Sequence, residues 1–163
     1  TGSMRDSLRF AFLQEMARFR AEIIDMVIQS RFETLGTSDS TMTAVINARA
    51  KLQASIEAAS TVNEIRSAFT AYHSTIVALL RITLDINSEL ITQLDASIWG
   101  KSGFYGSLEQ QLSVSFTTAA LIDAYTEFYA AAESEAFTVL NTIVSDVQVN
   151  AVVTVLVMAN FMV

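Results

Sequence analysis

At 163 residues the chain is long enough to bury a substantial core within one domain, and its lack of cysteine excludes disulfides, thiolate metal sites and a cysteine nucleophile. Apolar residues make up 52% of it and charged residues 17%, with a mean hydropathy of +0.40, which is more apolar than an ordinary soluble domain. The net charge of −7 is unevenly placed: residues 1–101 hold all ten basic and eleven acidic side chains, and residues 102–163 hold six acidic and no basic ones. Such a distribution cannot neutralise a phosphate backbone and argues against nucleic acid and anionic membrane surfaces as partners.

Thr1-Gly2-Ser3 ahead of Met4 reads as a cloning remnant, leaving residues 4–163 as a single domain. Proline is absent, so glycines and short polar clusters divide the chain. Over residues 4–32, Leu8, Phe12, Met16, Phe19, Ile23 and Met26 recur at spacings of four, four, three, four and three. This is a helical stripe, broadened by Phe10, Leu13, Ala17, Ile24 and Ile28. Gly36 ends that helix, and Asp39 or Ser40 is expected to cap the next, over residues 40–59, whose apolar face is Val45, Ala48, Leu52, Ile56 and Ala59.

Thr61-Val62-Asn63-Glu64 matches a capping box. From there Ile65, Phe69, Tyr72, Ile76, Leu79, Thr83, Ile86 and Leu90 keep helical spacing. One unusually long helix over residues 62–99, about 55 Å if unbroken, is expected, with Asn87-Ser88 as the place for a kink. A glycine-rich loop, Gly100-Lys101-Ser102-Gly103-Phe104-Tyr105-Gly106, follows. Ser107-Leu108-Glu109-Gln110 then reads as a second capping box, opening a helix with Leu108, Leu112, Phe116, Ala120, Leu121, Tyr125, Phe128 and Ala132 on its apolar side.

Residues 136–163 carry two overlapping patterns. Phe137, Leu140, Val144, Val147, Ala151, Val155 and Met158 have helical spacing, while Val147, Val149, Ala151, Val153, Val155 and Val157 alternate as a strand would. A lone strand has no partner in a helical chain, so helix is the reading, and a strand pairing between chains is the alternative. Residues 147–163 carry no charge, yet Gln148, Asn150, Thr154 and Asn160 interrupt them, and they fall short of a membrane span. The fold expected is all-α: a single-domain bundle of four to five long antiparallel helices.

No residue set commits the chain to a reaction. His73 is the sole histidine, with Thr70 where a Glu-x-x-His metal pair needs glutamate, and no serine sits in a nucleophile-elbow sequence. Glu133 and Glu135 are two apart, a spacing that turns them to different sides of a helix. Gly100-Lys101-Ser102 lacks the glycine five positions earlier that a phosphate loop needs, since Asp95 stands there. No cofactor or metal is implied, and nothing assigns a compartment.

The expected function is therefore a non-enzymatic interaction module that self-associates as a homo-oligomer through an apolar face. That face is expected to include Val147, Val149, Val153, Val155, Val157 and Phe161. The alternative is a helical carrier of a lipid-like apolar ligand held between helices. Trp99, Phe104 and Tyr105 are candidates for a recognition loop.

Overall fold

The computed structural model describes residues 2–84, 88–100 and 102–159. These residues form helices and connecting turns, with no strand among them. In chain order the helices are α1 (Gly2–Thr34), α2 (Asp39–Ala58), α3 (Val62–Leu84), α4 (Ser88–Trp99), α5 (Phe104–Ser113), α6 (Thr118–Leu140) and α7 (Asp146–Met158). The strand alternative for the C-terminal segment gives way to helix α7. Its valines overcome their modest helix propensity because burial on every side outweighs it.

Local chemistry sets most of the boundaries. Gly36 takes a left-handed φ of 73°, and the N–H groups of Gly36 and Thr37 reach back to the carbonyls of Glu33 and Phe32. This is a Schellman end, which satisfies the last carbonyls of α1. Ser38 caps α2, accepting from the Thr41 N–H, so the cap is neither Asp39 nor Ser40 as expected but the residue before them. Thr61 accepts from the Glu64 N–H as expected, and the Glu64 carboxylate reaches back chiefly to the Ser60 N–H and more weakly to that of Thr61.

The single long helix expected over residues 62–99 is instead two helices. His73 Nε2 lies 2.8 Å from Asp95 Oδ1, and Arg81 Nη1 donates to Thr92 Oγ1 at 3.2 Å. On one straight helix, residues 22 positions apart would be roughly 33 Å apart. The chain therefore folds back, and α4 lies against α3. Helix α3 ends at Leu84 and α4 begins at Ser88; Asn87 of the expected kink lies outside the described residues.

Ser107 is not a cap. The α5 helix begins a turn earlier, at Phe104, and the Ser107 N–H bonds the Gly103 carbonyl inside its first turn. Gly103 is required there, because a Cβ would lie 2.2 Å from the Ser97 carbonyl oxygen. The helix expected to continue from Ser107 stops at Ser113, and Thr117 opens α6 by accepting from the Ala120 N–H. The expected 136–163 stretch is likewise divided. Its break is set by a capping box in which Ser145 accepts from the Gln148 N–H and Gln148 accepts from the Ser145 N–H. Ser145-x-x-Gln148 carries the capping-box signature in the sequence itself.

The core is organised around α7. Val149 and every residue from Ala151 to Val157 is buried, so this helix is enclosed on all sides by its neighbours α1, α3 and α6. Only a helix uncharged beyond its first turn can occupy that position, because an unpaired charge there would cost several kcal/mol. Three side-chain bonds tie it to its neighbours: the Trp99 indole N–H donates to the Leu156 carbonyl at 2.9 Å, Tyr129 Oη lies 3.2 Å from Thr154 Oγ1, and Asn150 bonds Glu133.

Candidate functional site

Apolar surface is distributed in the structure differently from what the sequence suggests. Helix α1 has two apolar faces. Ala17, Ala21, Ile24, Ile28 and Phe32 are buried against α2, α3 and α7. The helical stripe Leu8, Phe12, Met16, Phe19, Ile23 and Met26 faces outward, with Phe12 63%, Phe19 59% and Met26 72% exposed. From Phe12 to Met26 the outward residues alternate spacings of four and three, the a/d seam of a coiled coil. Residues 2–9 of α1 are exposed without exception, and Met4 and Leu8 extend the same stripe along them.

The residues proposed from the sequence as a C-terminal interface are placed otherwise. Val149, Val153, Val155 and Val157 are buried in the chain's own core, so in the folded chain they present no surface to a second copy. Val147 is 66% exposed, near the start of α7. Phe161 lies outside the described residues. The physical reason for the correction is geometric: a helix with no charge after its first turn is the element best suited to the centre of a bundle. A helix with apolar residues on two faces and charges between them must leave one face outside.

Trp99, Phe104 and Tyr105 fold onto the bundle rather than away from it, and all three are half-buried. The Trp99 ring lies 5.1 Å from Tyr105 and 5.5 Å from Phe128, centroid to centroid, and meets the edge of His73 at 6.2 Å. Trp99 and Tyr105 form one side of a cavity of about 280 Å³ between α4, α5, α6 and α7. Leu108, Leu112, Tyr125, Phe128, Tyr129, Thr154, Val157 and Met158 complete its lining. None of these ten side chains is charged at neutral pH. Burial, more than the neighbouring Glu109 and Tyr125, pushes the Tyr105 phenol up, so it remains an O–H donor at physiological pH.

The titratable groups make structural contacts. His73 and Asp95 tie α3 to α4. Asp25, almost fully buried, accepts from Gln29 Nε2 at 2.5 Å and lies 3.8 Å from Arg49 Nε, joining α1 to α2. Burial pushes both the Asp25 carboxyl and the Tyr72 phenol up, and the Asp25 charge adds to the effect on Tyr72. Glu133 accepts from Asn150 Nδ2 at 3.4 Å, which joins α6 to α7. Among the described residues no group of three metal-ligating side chains forms, and no helix is long and apolar enough to cross a membrane.

Comparison with known proteins returned no match: no family model matches the chain, and neither does any curated protein or solved structure.

Proposed function

We propose that this chain is a self-associating helical module whose contact is the outward stripe of α1 packed against α1 of a second copy. The observation that carries the reading is the exposed row from Met4 to Met26, set opposite a face of the same helix that is already buried. A soluble monomer rarely leaves so large a contiguous apolar patch in water. Eight large side chains on α1 are exposed: Met4, Leu8, Phe12, Leu13, Met16, Phe19, Ile23 and Met26. At on the order of 100 Å² each they supply about 800 Å² per copy, the size of a standard stable interface.

A heptad seam is self-complementary, which favours a second copy over an unrelated partner. With Phe12, Phe19 and Met26 at d and Met16 and Ile23 at a, Glu15 falls at g and Arg20 at e. In a parallel pair those two positions face each other across the seam with opposite charge. Glu15 also pairs with Arg18 on its own helix, a solvent-exposed contact of little energetic weight.

The experiment is a mass measurement by light scattering at micromolar concentration. The chain is expected to run well above 17.8 kDa, and the F12E/F19E double variant to run as a folded monomer. Because the chain has no cysteine, F19C alone is expected to give a covalent dimer under mild oxidation, whereas S74C, exposed on α3, is not. A monomeric parent chain, or a double variant with the parent's mass, would overturn the reading.

A further inference from the structure

We propose that the cavity between α4, α5, α6 and α7 is a binding site for a small neutral apolar molecule, a medium-chain or bicyclic compound bearing one hydrogen-bonding group. The site is independent of the α1 stripe and shares none of its residues. Size sets the first limit. An apolar cavity of about 150 Å³ accommodates benzene, so a cavity of about 280 Å³ takes on the order of ten to twelve non-hydrogen atoms.

The walls are held in place rather than free to collapse inward. Trp99 is fixed by its bond to the Leu156 carbonyl and by edge contact with His73, itself bonded to Asp95. Tyr105 and Phe128 pack on the Trp99 ring at tilted angles of 51° and 58°. Rigid aromatic walls lower the ordering cost of binding and offer ring faces and edges to an apolar guest.

Electrostatics sets the second limit. With no cation in the lining, a carboxylate or phosphate entering the cavity would lose its hydration without a counter-ion. Glu109, near Tyr105, adds to the upward push on that phenol, and no basic side chain lines the cavity to receive an anion. On the α7 side of the cavity the Tyr129 hydroxyl donates to Thr154 Oγ1, which in turn donates to the Asn150 carbonyl. Tyr125 is the lining residue most open to solvent and marks the entrance. A guest's polar group therefore belongs at the Tyr105–Tyr125 side, with its apolar part toward Val157.

Trp99 is the sole tryptophan, so its emission reports the cavity directly. Titration of the full chain with 1-decanol is expected to give a saturable emission change and one site per chain by calorimetry. Decanoate, of the same chain length, is expected to bind at least tenfold more weakly at pH 8. V157F and L112F, which fill the cavity from two sides, are each expected to weaken 1-decanol binding tenfold or more while retaining a cooperative melt. Leu112 is only partly buried, so L112F remains a test if V157F does not fold. No saturable change with 1-decanol, equal or tighter binding of decanoate, or unaltered binding by L112F would each overturn the proposal.

Discussion

Asp25 is the residue at which burial and charge are most directly opposed. Its carboxylate is shielded among α1, α2 and α3, where loss of hydration outweighs the help from Gln29 and Arg49, so its proton is held above the ordinary carboxylate value. A raised native value means that the unfolded chain loses this proton first as pH rises through about 3.9. Over that window the group costs stability, and the cost is complete once the folded carboxyl has ionised. The D25N substitution keeps an acceptor for Gln29 without carrying charge. In urea unfolding from pH 3.5 to 7, the stability of D25N relative to the parent chain is therefore expected to rise with pH and then level off. A difference that stays constant across that range would show that burial and attraction cancel, and one that shrinks would show that the Arg49 attraction dominates instead.

At the scale of the element, α1 shows where sequence pattern stops being decisive. Both of its faces are apolar at helical spacing, and periodicity alone cannot say which one meets the core. That choice is made by neighbours: the alanines at 17 and 21 allow α7 and α2 to approach closely, whereas Phe12 and Phe19 on the other side would hold them off. Burial of Ile24 and exposure of Met26 follow, and the two positions should respond oppositely to truncation. In the F12E/F19E background, where association does not contribute, I24A is expected to lose about 2–5 kcal/mol of stability and M26A less than about 0.5 kcal/mol. In the otherwise unaltered chain M26A is instead expected to weaken self-association, measured by sedimentation. Similar stability losses at both positions would mean that the two faces are not distinguished as described. Other elements are more legible. The all-helical class, the Gly36 stop and the Thr61 cap are readable directly, because each depends on residues within one turn. The α3–α4 reversal is not, because apolar spacing continues across residues 85–87 and the contacts that reveal it, His73 with Asp95 and Arg81 with Thr92, join distant positions. The aromatic cavity has the same origin: Trp99 and Tyr105 form one cluster in the sequence, but Phe128, Tyr129 and Val157 join it only through packing.

For the whole molecule, the apolar excess separates into two populations with different consequences. One is enclosed, chiefly in α7, and the other is exposed, chiefly the outward stripe of α1 together with Val114, Phe116 and Ile122 around the α5–α6 turn. The enclosed part carries the fold. Val149, Val152, Val153, Val155, Leu156 and Val157 are each at most 8% exposed. At about 1.5–3 kcal/mol per buried large aliphatic side chain, the six together contribute on the order of 10 kcal/mol or more. That equals the entire net stability of a typical domain, about 5–15 kcal/mol. Removing α7 also exposes the inner faces of α1, α3 and α6 and deletes the carbonyl that anchors Trp99. A chain ending at Ser145 is therefore expected to lose its cooperative thermal transition, and its far-UV helical signal should fall by more than the 13 residues of α7 account for. A shortened chain that still melts cooperatively, with Trp99 emission as blue-shifted as in the parent, would show that the remaining helices close their own core. The central role assigned to α7 would then be untenable, whatever the state of the α1 face.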